Sequence, residues 1–400
     1  MSIKKVLIIG AGFLQSFVIR KAHDMGYYTL TVDADPNAIG FKYADKYAVI
    51  NIVDEKACLE FAKQECIDGV LTAATDYGVL TASYIAQELG LPGLKYNVAQ
   101  IIKNKYLTRK CLFENKVDDT EKAYEVDENT NIDVLSMLVN YPVMVKPCDG
   151  SGSRGASRVD NQDDFKEACK LAMNSSITHR ATVEQFIFGK EYGAESLVID
   201  GEPHVLAIMQ KWMTEPPYYA ELGHAIPSDL SKEIENKAKE CVCKALKCLG
   251  VNSGSVNMDM LITPNGSVHI VDVGARMGGN LIGSHIVKTG TGIDYMAAMI
   301  QNAVGDSVDL TSSKSKAVAT KLLALKPGKI EELPNFTELE KRYGVVIEHH
   351  MSVGDEIREY HTNLDGCGYI VAVSDNIDHA VNKAKLVLKK IDSSIVRRKL

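Results

Sequence analysis

The sequence predicts an α/β and α+β multidomain chain: an N-terminal doubly wound parallel sheet, a larger middle region of mixed strands and helices, and a small C-terminal α+β module. Three observations carry this. Through Leu89, short apolar strands alternate with amphipathic helices, the pattern of parallel βαβ units. Beyond Tyr141 strands follow strands, and Pro264-Asn265-Gly266 has the Asn-Gly signature of a hairpin turn. The chain then ends on an amphipathic helix with Ile377, Ala380, Val381, Ala384, Val387, Leu388 and Ile391 on one face, behind strands near Val345–Glu348 and Tyr369–Ser374. Four hundred residues suit two or three domains, and we place their boundaries at 1–95, 96–310 and 311–400.

Composition narrows the function classes. A hydrophobic fraction of 46% and a charged fraction of 24% fit an ordinary globular core. A net charge of −7 without a Lys/Arg cluster argues against nucleic acid as a partner. No apolar run reaches membrane-span length, and no signal-peptide core follows the first strand, so we expect no membrane partner. Nine cysteines without a disulfide framework fit a reducing cytoplasm. The cluster Cys241, Cys243 and Cys248 lacks a fourth zinc ligand and fits one helix equally well.

In order, the strand Val6–Ile9 runs into Gly10-Ala11-Gly12 and a helix with Leu14, Phe17, Val18, Ala22 and Met25 on its apolar face. This is a βαβ opening of Rossmann type, but Gln15 occupies the last glycine position of the dinucleotide fingerprint. Asp33, at the end of strand Thr29–Val32, could still mimic a ribose-binding acid. Strands near Ala48–Ile52 and Gly69–Ala73 and helices near Glu55–Glu65 and Gly78–Leu89 complete the sheet. Ligands of such a sheet sit beyond the strand carboxyl ends, where Gly12, Gln15 and Asp76 fall. Asp76 is also explained as an acid favoured at a helix N-terminus.

After the break at Leu91-Pro92-Gly93 a helical linker carries Lys103 and Lys105, and the polar stretch 118–131 reads as loop. Tyr141–Pro147 is an apolar strand bearing one lysine, Lys146. Behind it, Asp149-Gly150-Ser151-Gly152-Ser153-Arg154-Gly155 can wrap its amides around phosphate oxygens or serve as a plain linker. It is not a Walker A loop, because no Gly-Lys-Ser/Thr follows. A helix is expected from Asn161, with Asp164 in capping-box position. Strands follow at Ala181–Ile187, Ala194–Asp200 and His204–Trp212, and Glu184 and Glu191 flank a turn at Phe188-Gly189-Lys190. Another helix runs through Ser231–Leu249.

The hairpin Ser255–Asn280 then places an acid in each of two apolar strands, Asp259 and Asp272. Pairing across the turn makes them neighbours, and adjacent carboxylates repel unless a proton or cation lies between them. Paired hard oxygens suit Mg²⁺, which takes one or two carboxylates plus phosphate oxygens. Backbone amides holding a buried Asp, with Arg276 as surface partner, would explain the same residues. Arg276 can also reach a phosphate or carboxylate bidentately.

In this order the parts resemble the ATP-grasp superfamily: an α/β domain, Lys105, V-K-P with a Gly/Ser loop, E-x-F-I-x-G-x-E, then two acids on a hairpin. The resemblance spans roughly Val6 to Gly305. GAGFLQ and VDADPNAIGFKYAD look like the purine-biosynthetic and biotin-carboxylase-like branch; ELGHAIPS and DVGARMGGN look like the amino-acid ligases. It implies a pre-ATP-grasp domain, an ATP-grasp domain of two α+β subdomains with a lid at about 140–212, and ATP with Mg²⁺ (Mn²⁺ as the alternative) as cofactors. Lys105 and Lys146 would hold phosphates under a loop containing Ser153, Arg154 and Gly155. Glu184 would flank adenine, the Phe186 and Ile187 backbone would read its edge, and Glu191 would take the ribose. Asp259 and Asp272 would hold the metal, Arg276 would stabilise an acyl phosphate, and Gly12, Gln15, Asp76 and His224 would line substrate sites. The family often has Asn where Gly274 stands, which puts the second metal site in doubt. The implied activity is a cytoplasmic, homodimeric carboxylate–amine ligase acting on small molecules. A purine-pathway ligase (phosphoribosylamine–glycine ligase or carboxyaminoimidazole ribonucleotide synthase type) is the runner-up within enzymes. A nucleotide binder without turnover and, more distantly, a dehydrogenase are the readings from other classes.

Overall fold

The computed structural model describes residues 3–150, 154–216 and 218–398. The chain begins with β1 (Lys5–Ile9), α1 (Gln15–Asp24), β2 (Tyr28–Asp33), β3 (Lys46–Val49), α2 (Glu55–Glu65), β4 (Gly69–Thr72) and α3 (Val79–Leu89). The four strands form a parallel sheet in the order β3-β2-β1-β4, so the order reverses beside β1 as a doubly wound sheet requires. The two-residue period of β1 explains the two layers. Val6 and Ile8 pack with α1 and the middle of the chain, whereas Leu7 and Ile9 pack with α2 and α3.

Helices α4 (Tyr96–Lys103) and α5 (Lys105–Glu114) then lead to a small antiparallel sheet. It consists of β5 (Tyr124–Val126), β6 (Val143–Pro147), β7 (Ser157–Val159) and β8 (Ala181–Gln185), in the order β5-β8-β6-β7. Helices α6 (Ile132–Ser136) and α7 (Phe165–Ser175) cover it, with Phe165, Ala168, Cys169 and Ala172 facing Val143, Val145 and Val183. Two expectations fail here. The polar stretch 118–131 contributes an edge strand. The helix begins at Phe165, not Asn161, because the Asn161 side chain accepts from the Asp163 amide in a turn of its own, and Asp164 makes no side-chain cap.

Strands β9 (Lys190–Ile199), β10 (Glu202–Met213) and β11 (Glu221–Ile226), helix α8 (Lys232–Leu249) and the hairpin β12 (Gly254–Ile262) and β13 (Val268–Gly274) follow. After a π-helical turn at Ile282–Ile286 come α9 (Val287–Thr291), α10 (Tyr295–Ala303), β14 (Ala317–Leu322), β15 (Gly328–Glu332), α11 (Phe336–Tyr343), β16 (Val345–His349), β17 (Glu356–Ile357), β18 (Gly368–Ser374), α12 (Ile377–Ser394) and β19 (Val396–Arg398). One eight-stranded sheet runs β13-β12-β9-β10-β11-β14-β18-β16. The C-terminal strands therefore extend the central sheet, while β17, β15 and β19 form a small sheet of their own. Residues 190–212, expected in the lid, lie in the large sheet, because β9 pairs with β12 from Lys190 onward. Side-chain caps from Asp54, Ser231, Asp294 and Asn376 start α2, α8, α10 and α12, each worth about 1 kcal/mol. Gly250, at φ +74°, ends α8 in the left-handed conformation that favours glycine. Among the described residues no helix is long and apolar enough to cross a membrane.

Candidate active site

The hairpin pairs Asp259 directly with Asp272, and Asn257 directly with Gly274. A bulge after Asp259 twists β12 at that point. Each acid is met by a lysine from elsewhere in the chain. Lys105, at the start of α5, bonds Asp272; Asn104 caps that helix, and the Lys105 amide donates to the Cys148 carbonyl at 2.7 Å, tying the helix start to the small sheet. Lys211, on β10, reaches Asp259 at 2.7 Å, Glu191 at 2.8 Å and Glu221 at 2.9 Å with its side chain only 1% exposed.

Three carboxylates around one buried ammonium cannot all ionise cheaply, and they divide. Burial pushes the Asp259 carboxyl up to about 6 even against Lys211. Burial would also raise Glu221, but Lys211 and His224 outweigh it and hold that carboxyl at about 2. His224 lies over Glu221, Nε2 to Oε2 at 3.8 Å. Its own burial, opposed by Glu221 and reinforced by Lys211, lowers it to about 4, so the ring is neutral at pH 7.

Arg276 forks onto Asp76 of the N-terminal domain, Nε to Oδ1 at 2.9 Å and Nη2 to Oδ2 at 3.2 Å. Burial alone would raise the Asp76 carboxyl; the guanidinium beside it outweighs that and lowers it. Backbone contacts fix the same junction. The Ala74 amide donates to the Met277 carbonyl at 3.0 Å, and Gln15 Nε2 donates to the Ala73 carbonyl at 2.7 Å. Gln15 is thus a buried strut beneath the β4 loop, and Gly12 faces its amide. Asp33 is likewise occupied: it accepts from the Ala11 amide at 2.8 Å and shapes the β1–α1 turn. Gly274 has a steric reason, since a Cβ there would lie 3.1 Å from both Asp76 Oδ1 and Arg276 Cζ.

On the small sheet, Lys146 pairs with Glu184 at 2.8 Å across the β6–β8 ladder. Arg154 donates to the Tyr77 hydroxyl at 2.8 Å, and Lys103 stands 4.9 Å over the same ring. Gly155 turns at φ +71°. Ser153 lies outside the described residues. Phe186 spends its amide on the Pro142 carbonyl at 3.2 Å, and Ile187 follows in the stretch that leads to β9. The described cleft is lined by Asp76, Lys105, Asn257, Asp259, Asp272 and Arg276, with Gly274 and Gly150 at its wall.

Five residues that sequence reasoning did not single out belong to this site: Lys211, Glu221, Glu195, Asn257 and Asn280. Glu195 is fully buried on β9 and accepts from Asn257 Nδ2 at 2.8 Å and the Gly278 amide at 3.0 Å. Burial pushes its carboxyl up to about 8. Asn280 bonds Glu221 and accepts from the Tyr369 hydroxyl at 3.0 Å, and both Asn280 (φ +52°) and Leu281 (φ +58°) are left-handed. Such backbone costs of order 1–3 kcal/mol per residue and gathers at functional sites. The sequence signal for Lys211 was available: a lysine inside the apolar run AIMQKWM has to find a carboxylate.

The donor set fits a hard divalent cation: two facing carboxylates with a carboxamide beside them, each acid already paired with a lysine ammonium. Among the described residues no group of three or more His, Cys, Asp or Glu side chains could hold a metal, so a cation here needs further oxygens, as phosphate would supply.

Comparison with known proteins agrees with this architecture. Residues 139–284 match the ATP-grasp domain, and residues 321–396 match the L-amino acid ligase C-terminal domain 2. The ATP-grasp enzyme fsqD of Aspergillus fumigatus is 27% identical over 275 residues, 60% of this chain and 46% of that one, so the chain spans less than half of that relative. An L-amino acid ligase from Bacillus licheniformis superposes with a TM-score of 0.84 at 23% identity, over 99% of both chains. A phosphoribosylglycinamide synthetase from Anaerococcus prevotii gives 0.80 at 22% identity, over 99% of this chain and 100% of that one. At those identities the two structures share the fold.

Proposed function

We propose that this chain, a member of the ATP-grasp superfamily, is an ATP- and Mg²⁺-dependent ligase that joins a carboxylate to an amine through an acyl phosphate. The observation that carries the proposal is the register pair Asp259–Asp272, enclosed by Lys105, Lys211 and Arg276. Asp259 and Asp272 hold the cation, Mg²⁺ or alternatively Mn²⁺. When bound, the metal supplies charge neutralisation worth several kcal/mol on the transferring phosphate.

Lys105 and Lys146 turn from their carboxylates to the nucleotide phosphates, under the loop with Ser153, Arg154 and Gly155. Glu184 flanks the adenine and Glu191 takes the ribose hydroxyls. Because Pro142 already holds the Phe186 amide, the adenine edge is left to the Phe186 carbonyl and the Ile187 backbone. A substrate carboxylate oxygen attacks the γ-phosphorus and ADP leaves. The amine then attacks the acyl carbon, phosphate leaves, and the amine proton passes to solvent or a nearby base. Arg276 stabilises the acyl oxygens as charge develops on them. Asp76 and His224 line the substrate side, with Gly12 and Gln15 supporting it from behind.

The match to an L-amino acid ligase C-terminal domain favours an amino acid as the carboxylate over a purine intermediate. We place the enzyme in the cytoplasm as a homodimer, a state that sedimentation velocity tests. ADP release is assayed against pooled L-amino acids, with purine intermediates as the comparison set. The proposal expects Mg²⁺-dependent release with the amino acids that Asp272→Asn abolishes while the fold stays intact. Asp272→Asn at wild-type turnover under limiting Mg²⁺ removes Asp272 from the metal site.

A further inference from the structure

We infer that Asn257 supplies, from the facing strand, the carboxamide oxygen that the metal site does not receive from Gly274; this rests on the ligase reading above. Asn257 faces Gly274 and Asp259 faces Asp272, and a strand's two-residue period puts all four positions on one face of the hairpin. Directly opposed Cβ positions are about 4.5–5.5 Å apart, so a carboxamide rooted at 257 can serve the space beside the acids.

Position 274 cannot carry that group without displacing its neighbours. The space a side chain would enter there is filled by the Asp76–Arg276 pair, 3.1 Å from the site of a Cβ. The orientation of the Asn257 amide is set by its own contacts. Nδ2 donates to Glu195 Oε1 at 2.8 Å, and that same oxygen accepts the Gly278 amide at 3.0 Å. An oxygen already accepting one N–H requires the nitrogen end of the carboxamide, not its oxygen end. Asn257 Oδ1 is thereby turned away from Glu195, on a residue that lines the cleft with Asp259 and Asp272. A neutral amide oxygen beside two carboxylates is a hard donor of the kind Mg²⁺ and Mn²⁺ accept. Glu195 is then a positioning residue, tying Asn257 and the loop at Gly278 together through one oxygen.

The test measures metal binding, not turnover. Mn²⁺ is titrated, by the electron paramagnetic resonance signal of the free ion, into the full-length chain saturated with a non-hydrolysable ATP analogue. Analogue affinity is measured separately in chelator. Asn257→Ala is expected to weaken Mn²⁺ binding by about tenfold or more, the scale of losing a group that orients or completes a metal site, with metal-free analogue affinity unchanged. Asn257→Asp keeps the oxygen and is expected to bind Mn²⁺ at least as tightly as wild type. Wild-type Mn²⁺ affinity in Asn257→Ala overturns the inference. Should that variant fail to fold, Asn257→Asp decides, because loss of Mn²⁺ affinity there would mean that Asn257 only brackets Glu195. A wild-type complex that takes up no Mn²⁺ overturns the ligase reading and this inference together, whereas normal wild-type uptake with an unaltered Asn257→Ala overturns only the inference.

Discussion

Lys211→Met should make the stability of this protein depend on a divalent cation. The ammonium of Lys211 sits 2.7 to 2.9 Å from three carboxylates with its own side chain 1% exposed. At an effective dielectric constant of about 20, an ion pair at about 4 Å is worth roughly 4 kcal/mol before desolvation. Removing one partner of a buried pair costs about 3–5 kcal/mol, because the remaining charge is stranded. Here the three acids keep 18% to 25% of their side-chain surface, so water recovers part of the loss. We therefore take the low end, about 3 kcal/mol, which lowers the midpoint of a domain this size by about 6–12 °C. A cation bound between Asp259 and Asp272 replaces the missing charge. At about a hundredfold over its Kd it returns about 2.7 kcal/mol. In wild type the same cation competes with Lys211 and stabilises less. The assay is thermal unfolding of both proteins in chelator and in Mg²⁺ or Mn²⁺, with nucleotide present. A Lys211→Met midpoint within about 2 °C of wild type in chelator, or equal metal-induced shifts in the two proteins, would refute the reasoning.

Arg276→Lys keeps the charge but loses the planar fork that holds Asp76, an exchange that is not conservative at a bidentate site. It should bind ATP nearly as wild type by calorimetry while amine-dependent ADP release falls about a hundredfold; unchanged turnover with a small loss of thermal stability would reduce Arg276 to a structural partner of Asp76. His224 gives a pH signature. Its folded value, about 4, lies below the ordinary 6.5, so the unfolded chain binds the extra proton first. Stability contributed by the neutral ring is present above pH 6.5 and is lost as pH falls toward 4, by at most about 3 kcal/mol. Urea denaturation across that window should show a flatter pH dependence for His224→Gln than for wild type; identical slopes would place the ring in contact with water.

What could be read from the sequence was what is local. The turn Pro264-Asn265-Gly266 fixes the register of its two strands, so the pairing of Asp259 with Asp272 follows from a few neighbouring residues. The parallel N-terminal sheet is legible for the same reason, as each apolar strand is followed by a helix of matching period. Lys211 was missed because its partners come from three strands, β9, β11 and β12, and the order that unites them depends on non-local pairing. The extension of the central sheet by β14, β18 and β16 was invisible for that reason too. Asn161 misled because Asn favours a turn of its own as readily as a helix cap. Gly274 read as a defect in a metal site; only the tertiary approach of Asp76 and Arg276 shows why a side chain is crowded there.

In the proposed reaction this cleft activates a carboxylate with ATP before an amine attacks it. Incubating the protein with ATP, Mg²⁺ and pooled L-amino acids labelled with ¹⁸O in their carboxylates tests that step, with the released phosphate read by mass spectrometry. An acyl phosphate that collapses to an amide leaves one substrate oxygen on phosphate, so ¹⁸O is expected in the phosphate in proportion to ADP formed, and none with Asp272→Asn. Steady ADP release with unlabelled phosphate would contradict it, because water and not a carboxylate would then be taking the phosphoryl group.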